Sequence, residues 1–356
     1  MRWDNLRLDD ALSLAGPDGA PAMVPLIERG AVTRTFETPG FRGMTFYEVH
    51  ARSIVSRVPE ASRVPFRWTI NPYRGCQHAC TYCFARNTHS YLDLDSGIDF
   101  NTRVVVKVNA PALLRKKLAS PSWPGEHIAM GTNVDCYQRA EGKYRLMPGV
   151  IAALRDAANP FSILTKGTLI LRDIELLAAA AEVTDVGLAV SVGSTDEVLW
   201  RSVEPGTPSP LRRLEACAAL TDRGLGCAVL MGPVIPFLSD SPAQLEATVR
   251  EIAAAGATSV TPIVLHLRPG AREWFLAWLG EAHPDLVDRY AALYRRGSYA
   301  PKPYQAEISA RVRELARRYG VGRRGGGRRP DRSQPAPRNG TPPLKHPPQQ
   351  EQLTLL

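Results

Sequence analysis

The sequence lacks an apolar run long enough to span a bilayer. Its longest one, "GLGCAVLMGPVIPFL" from Gly224, is interrupted by prolines and falls short of the roughly 20 residues that a membrane helix needs. Residues 1–30 contain several aspartates and no apolar segment typical of a secretory signal. Cysteine is also scarce, and three of the six cysteines lie within eight residues, which is not the pattern of a disulfide framework. We therefore expect a globular cytoplasmic protein with no membrane partner.

Acidic residues are in deficit, because 35 Asp and Glu face 44 Lys and Arg, for a net charge of +9. The imbalance is strongest in residues 321–356, which hold seven basic and two acidic residues. Residues 322–350 contain seven Pro and five Gly. This segment has too few apolar residues to form a core, so we predict a disordered tail. A basic tail indicates a polyanionic partner such as nucleic acid. The alternative is a solvated tail that only keeps the protein soluble.

Short β-rich runs alternate with helical stretches between residues 66 and 270. The runs are "FRWTIN", "HIAMGT", "FSILTK", "VGLAVSV", "CAVLMG" and "SVTPIVLHL". Such alternation predicts βα units and a parallel sheet with right-handed crossovers. Six units are fewer than the eight of a closed barrel, so we predict an α/β fold with a partial (β/α)6 TIM-type barrel. An open doubly wound sheet is the competing architecture.

The predicted organisation has four parts. Residues 1–65 form an N-terminal extension, in which "MTFYEVHARSIVSRV" favours extended structure. Residues 66–270 form the barrel, and residues 271–320 form C-terminal helices that pack on it. Residues 321–356 are the basic tail.

Three cysteines, Cys76, Cys80 and Cys83, are spaced C-x3-C-x2-C within "NPYRGCQHACTYCFAR", with no fourth cysteine nearby. Structural zinc sites use four ligands, and plain iron–sulfur clusters use four cysteines. A four-iron cluster held by three thiolates leaves one iron open to a substrate. The motif follows the first predicted strand, at the end where barrel enzymes build their active sites. A zinc site completed by His78 or His89 is the alternative.

This motif, with Tyr82 directly before its third cysteine, resembles the signature of the radical S-adenosylmethionine (SAM) superfamily. The longer run "NPYRGCQHACTYCFAR" resembles more narrowly the spore photoproduct lyase-like branch, often described as DNA repair photolyases. The resemblance implies a [4Fe-4S] cluster on the three cysteines and SAM chelated to the open iron. It further implies reductive cleavage of SAM to a 5′-deoxyadenosyl radical and an electron donor such as flavodoxin or ferredoxin.

Polar residues follow the later predicted strands, where SAM contacts are expected. The candidates, besides Tyr82, are Thr132, Asn133, Asp135, Lys166, Ser191, Ser194 and Arg213. Lys166 suits the SAM carboxylate, and the branch carries a matching lysine; Arg213 is a second candidate for that role. After the last strand, His266 and Arg268 are placed to face substrate, for example an anionic phosphate.

Two residues are candidate catalytic groups because of the resemblance. Spore photoproduct lyases are understood to return a hydrogen atom through a cysteine near strand two, assisted by tyrosines on both sides of the third cluster cysteine. This chain has Tyr82 before Cys83 but Phe84 after it, so the relay is incomplete. Cys136 lies in the neighbourhood of the donor cysteine, although it follows Asp135 rather than preceding that stretch.

The chain ends in Gln352-Leu353-Thr354-Leu355-Leu356, which resembles the peptide motif that docks bacterial repair proteins on the DNA sliding clamp. Together with the tail charge, it favours DNA as the substrate, with a damaged pyrimidine as the expected lesion. Two alternatives remain open at this stage. One is a radical SAM enzyme that modifies RNA, protein or a small molecule, and the other is a non-catalytic metal-binding module recruited to DNA.

Overall fold

The computed structural model of the chain describes residues 30–60, 62 and 64–322. The predicted disorder beyond residue 322 and the predicted clamp-binding peptide, 352–356, lie outside the described residues, as does most of the first half of the N-terminal extension.

The main sheet has seven strands in the order β11-β10-β9-β8-β7-β4-β3. Its strands are β3 (Val55–Arg57), β4 (Trp68–Ile70), β7 (Ile128–Met130), β8 (Phe161–Thr165), β9 (Val186–Ser191), β10 (Ala228–Val234) and β11 (Val260–Val264). Neighbouring strands are parallel from β4 to β11, and only β3 pairs antiparallel, on the outer edge of β4. The six predicted strands are therefore confirmed, in sequential order and with an opening between β11 and β3, as in a partial barrel.

Helices follow the parallel strands and cover the sheet. They are α1 (Ile98–Thr102), α2 (Ala110–Leu118), α3 (Glu141–Tyr144), α4 (Leu146–Asp156), α5 (Ile174–Ala181), α6 (Glu197–Val203), α7 (Pro210–Asp222) and α8 (Pro242–Ala254). The start of α8 shows the local logic: Ser241 accepts a hydrogen bond from the Gln244 amide, and Pro242 occupies the first helical position. Apolar residues of α2, α4, α5, α7 and α8 join those of the strands in one large core.

A second, four-stranded sheet was not foreseen in full. Its order is β1 (Val32–Arg34), β2 (Thr45–Val49), β6 (Arg103–Lys107) and β5 (Tyr73–Arg74). The extended pattern predicted within residues 44–58 is present as β2 and β3. Because β5 directly precedes the cysteine motif, this sheet supports the motif from one side.

The C-terminal part is helical, as predicted. It contains α9 (Ala271–Ala282), α10 (Val287–Leu293) and α11 (Lys302–Tyr319). Helix α11 packs against α8 and β11, whereas α9 contacts a 3₁₀ helix, Phe84–Leu92, that follows the cysteines. Among the described residues, no helix has the length and apolar character needed to cross a membrane.

Candidate active site at the carboxyl ends of the strands

The cysteine loop, residues 75–83, is held by hydrogen bonds from two other segments of the chain. Gln138 accepts from the Gln77 amide at 3.0 Å and donates to the Gly75 carbonyl at 3.0 Å. The Thr81 amide donates to the Val203 carbonyl at 2.9 Å. These bonds satisfy backbone groups that a loop inside the protein would otherwise leave unpaired. The loop is therefore fixed in place before any ligand binds.

Two glycines permit the close packing of this loop. Gly75 has φ +84°, and a Cβ there would lie 2.8 Å from the Arg103 carbonyl oxygen. A Cβ on Gly206 would lie 2.0 Å from the Gln77 carbonyl oxygen. The chain after α6 can therefore approach the cysteine loop this closely only because residue 206 has no side chain.

The three thiols lie between two apolar clusters. Cys76 packs with residues of the second sheet, and Cys80 packs with residues of the C-terminal helices, while Cys83 contacts both clusters. Burial raises the pKa of all three, and that of Cys80 reaches about 12. Without a cation the sulfurs are therefore held as thiols, and a metal centre that binds them must displace protons.

Asp135, which follows β7, organises neighbouring strand ends. Its carboxylate accepts from the Thr165 hydroxyl and from the Lys166 amide, both at 2.6 Å, and lies 3.3 Å from Nδ1 of His78 in the cysteine loop. Burial acts to raise its pKa, but His78 and these donors outweigh it and lower the value to about 2. Asp135 thus joins β7, β8 and the cysteine loop as an ionised acceptor.

Glu204 is the centre of a buried polar group that was not foreseen. Its carboxylate accepts hydrogen bonds from the Tyr82 hydroxyl and from Arg213, and its Oε1 lies 3.3 Å from Nζ of Lys166. Burial acts to raise the pKa of Glu204, but Arg213, Lys166 and Tyr82 lower it to about 2. Burial and the nearby carboxylate raise the pKa of Tyr82, so its hydroxyl stays protonated and donates to Glu204.

Of the two predicted cationic partners for a SAM carboxylate, only Lys166 is accessible. Its side chain is 14% exposed, and Nζ donates to the Ser191 hydroxyl at 2.5 Å and to the Gly232 carbonyl at 3.3 Å. Arg213 is 1% exposed and donates to Glu204, Thr207 and two carbonyls. Arg213 therefore serves Glu204 in this structure rather than facing a ligand.

The remaining predicted SAM contacts lie around the same edge. Ser194 accepts from the Asp196 amide at 3.1 Å and lines a small cavity together with Tyr82 and Glu204. The Asn133 amide donates to Asn71 at 3.4 Å. The Thr132 hydroxyl is buried with no hydrogen-bond partner among the described residues, and the same holds for Oε1 of Gln77 and the Thr81 hydroxyl.

Cys136 lies next to this edge but faces the core. Its side chain is 0% exposed and packs with apolar residues such as Ile70 and Met130. Burial raises the pKa of its thiol well above the usual range. The expectation that it donates a hydrogen atom stays a prediction, and its surroundings are those of an apolar core side chain.

An aromatic stack begins at the residue after the third cysteine. The Phe84 ring lies 5.6 Å from the ring of His266, which in turn stacks on Tyr299 at 5.6 Å. Arg268 covers the Phe84 ring and donates to the Tyr299 hydroxyl at 3.1 Å. Tyr299 is 44% exposed and Arg268 is also exposed, so the stack runs from the cysteine motif to the surface.

The donor set fits a [4Fe-4S] cluster and SAM. Among the described residues, no three His, Cys, Asp or Glu side chains are arranged to hold one metal ion. A four-iron cluster does not require three side chains around a single ion, because each thiolate binds a different iron. The buried hydroxyls and amide without partners, on Thr132, Thr81 and Gln77, are groups that a polar ligand would satisfy.

Comparison with known proteins agrees with this donor set. The sequence pattern of the Radical SAM superfamily matches residues 70–252, which include the cysteine loop and most of the strand ends. The chain belongs to the radical SAM superfamily. Its cofactors are therefore a [4Fe-4S] cluster and SAM.

An uncharacterized protein of Mycobacterium tuberculosis is 49% identical over 319 residues, 90% of this chain and 93% of that protein. One of Methanocaldococcus jannaschii is 31% identical over 174 residues, 49% of this chain and 62% of that protein.

Solved structures of spore photoproduct lyase share the fold. A mutant with bound AdoMet and dinucleoside spore photoproduct gives a TM-score of 0.58 at 16% identity, over 77% of this chain and 79% of that one. The lyase complexed with dinucleoside spore photoproduct gives 0.57 at 17% identity, over 78% and 80% of the two chains. At this identity the likeness establishes a common architecture.

Sequence reasoning missed Gln138, Glu204 and Arg86 as parts of the site. Glu204 directly follows α6, in the segment after β9 that had supplied Ser194, and Arg86 is the last residue of the run that contains the cysteine motif. Glu204 has no spacing that marks it, because Tyr82 and Lys166 are distant from it in sequence, and nothing in the sequence shows that Arg86 is buried.

Proposed function

We propose that this radical SAM enzyme acts on DNA and repairs a damaged pyrimidine in the manner of spore photoproduct lyase. The observation that carries the proposal is the aromatic stack of Phe84, His266 and Tyr299 with Arg268, which leads from the third cysteine to the surface. Aromatic faces stack on nucleobases, and an exposed arginine binds phosphate. The basic tail and the spore photoproduct bound in structures of the same fold support this choice.

In this proposal Cys76, Cys80 and Cys83 hold the cluster, and Lys166 binds the SAM carboxylate. The cluster, when bound, supplies the electron that cleaves SAM. Ser191 orients the Lys166 ammonium through the 2.5 Å hydrogen bond, and Glu204 limits its movement from the other side. Asp135 fixes the backbone at Lys166, so the ammonium and the cysteine loop keep a constant separation.

Tyr82 lacks the second tyrosine that a complete hydrogen-atom relay would require. Its hydroxyl donates to Glu204, and the next aromatic residue after the cysteine is Phe84, which carries no hydroxyl. We propose that Tyr82 and Ser194 shape the wall of the cavity that receives SAM.

The test is an anaerobic assay of the reconstituted protein with SAM, a reductant and UV-irradiated DNA. Lesion content is measured by mass spectrometry of the digested DNA, and 5′-deoxyadenosine is measured in the same samples. We expect loss of a thymine lesion in the wild type and none in the Cys76→Ala, Cys80→Ala or Cys83→Ala variants. Cys217→Ala, which alters a buried cysteine of α7, is the matched control and should retain activity.

Two variants test the DNA surface separately from SAM cleavage. Arg268→Gln and Tyr299→Ala should each weaken binding of single-stranded DNA by about tenfold or less, because the first removes a phosphate contact and the second a stacking face, each worth about 1 kcal/mol. Cleavage of SAM without DNA should remain at the wild-type rate. SAM cleavage with unchanged lesion content in the wild type would assign the radical chemistry to another substrate.

A further inference from the structure

Arg86 is a fully buried cation whose hydrogen bonds all go to neutral groups. Its side chain is 0% exposed, and its guanidinium donates to the carbonyls of Cys80, Ser96 and Gly97 and to Oδ1 of Asn101. These five bonds use every N–H of the group. Within the described part of the chain, no carboxylate forms an ion pair with it.

Two aromatic rings seal the same guanidinium from water. Its Cζ lies 4.7 Å from the ring centre of Trp274 in α9 and 5.2 Å from that of Phe100 in α1. Ring faces attract a cation, but they do not neutralise its charge. A buried charge without an ionic partner is costly, so a nearby anion is expected.

The cysteine loop is the group in direct contact with Arg86 that becomes anionic when it binds a cluster; Asp95 also acts electrostatically on the guanidinium but forms no ion pair with it. Arg86 binds the Cys80 carbonyl through both Nε and Nη2, at 3.2 and 2.9 Å. A three-thiolate iron–sulfur cluster is anionic and gains one further negative charge on reduction. A fixed cation beside it favours the reduced form.

We propose that Arg86 is the counter-charge of the iron–sulfur cluster and raises the reduction potential of that cluster. Arg86 acts as a positioning residue, through its hydrogen bonds to the Cys80 carbonyl and through its positive charge. The inference rests on the proposed binding of the cluster by Cys76, Cys80 and Cys83. The positive charge of Arg86 would make the cluster easier for a physiological donor to reduce, although Arg86 is not one of the cluster's ligands.

The experiment compares reduction potentials of the reconstituted protein, measured without SAM by redox titration and low-temperature EPR. Arg86→Gln removes the charge, whereas Arg86→Lys keeps the charge and loses the planar hydrogen-bonding geometry. We expect Arg86→Gln to lower the equilibrium constant for reduction by about tenfold, or about 59 mV for one electron. Arg86→Lys should shift by less than half of that. A role confined to loop geometry predicts equal shifts in the two variants and would overturn the proposal.

A second variant leaves Arg86 in place, in case its replacement prevents folding. Asn101→Asp keeps the acceptor 3.0 Å from Nη2 but gives the guanidinium a carboxylate partner. We expect a lower potential in the loaded protein and a higher melting temperature in the unloaded one. Asn87→Asp, at an exposed position of the 3₁₀ helix that contains Arg86, is the control and should change neither quantity.

The outcomes separate this inference from the proposed function. A wild-type protein that assembles no four-iron cluster would overturn both. A cluster whose potential is the same in wild type and Asn101→Asp would overturn the role of Arg86 and leave the enzymatic proposal intact.

Discussion

Nζ of Lys166 lies 3.3 Å from Oε1 of Glu204 at the carboxyl edge of the sheet, where Glu204 is buried and Lys166 is 14% exposed. The same carboxylate binds Arg213, so one anion serves two cations in a region that excludes water. Lys166 is thereby left with part of its charge available to a second anion. This relationship is what suits Lys166, and not Arg213, to the carboxylate of SAM.

Replacing Glu204 by Gln should destabilise the unloaded protein by about 3 to 5 kcal/mol, because two buried cations lose their partner. Denaturant unfolding under reducing conditions measures the loss. Glu197→Gln is the control: Glu197 forms an exposed pair with Arg201 on α6, and its loss should cost less than about 1 kcal/mol. Equal losses in the two variants would contradict the central role of Glu204.

The strands of the barrel could be predicted from the sequence because each is a short apolar run flanked by helical patterns. β8 is an example, with Phe161, Ile163 and Thr165 buried. The cysteine loop was recognisable because its ligands are close together in sequence. The division of the chain into parts at residues 65, 270 and 320 stays a prediction, because continuous clusters join the second sheet, the barrel and the C-terminal helices.

Contacts between distant residues were beyond sequence reasoning. Tyr82 and Glu204 are 122 positions apart, and nothing local in either segment indicates that they meet. Arg213 shows a second limit of sequence reasoning. Its place in the segment after a strand suggested a ligand contact, but it binds Glu204, nine positions earlier. A charged residue at a strand end can serve a ligand or another side chain, and only the three-dimensional contacts distinguish these roles.

Cys136→Ala should leave the products of the reaction unchanged, because the thiol is enclosed by the core and has no exposed surface. We expect a loss of about 1 kcal/mol in stability, as for the removal of a small buried group. The products are identified by mass spectrometry of repaired DNA. An altered product with normal SAM cleavage would instead support the hydrogen-donor role that the resemblance suggested.

Lys107 in β6 gives the protein a pH-dependent stability. Burial, and secondarily Arg74, lowers its pKa from 10.5 to about 7. The unfolded state therefore binds more protons between about pH 7 and about pH 10, so this residue's contribution to stability rises with pH across that window. Its destabilising effect is complete below about pH 7 and vanishes above the unfolded pKa.

Lys107→Met should consequently stabilise the protein at about pH 6 by up to about 5 kcal/mol, and by clearly less at about pH 9. Denaturant unfolding at the two pH values measures this difference. The exposed Lys116 of α2 provides the control, since Lys116→Met should have a small and pH-independent effect. A constant difference between wild type and Lys107→Met would show that the buried amine does not titrate in this range.

The C-terminal peptide offers a test that is independent of the catalytic site. A labelled peptide of residues 340–356 should bind a purified bacterial DNA sliding clamp, as followed by fluorescence anisotropy. Leu353 and Leu355 are the expected apolar anchors, and Gln352 supplies the amide. Leu355→Ala should weaken binding by about tenfold or more, because loss of an anchor side chain costs about 2 kcal/mol or more.

A peptide with residues 352–356 scrambled keeps the charge and composition and serves as the control. Equal binding of the scrambled peptide would assign the interaction to the basic segment alone. Specific binding would have a direct consequence for repair, because a tail joined to a clamp raises the local concentration of the enzyme on DNA without any new contact to the lesion. Deletion of residues 352–356 should then leave lesion removal from short oligonucleotides unchanged and slow it only on clamp-loaded DNA.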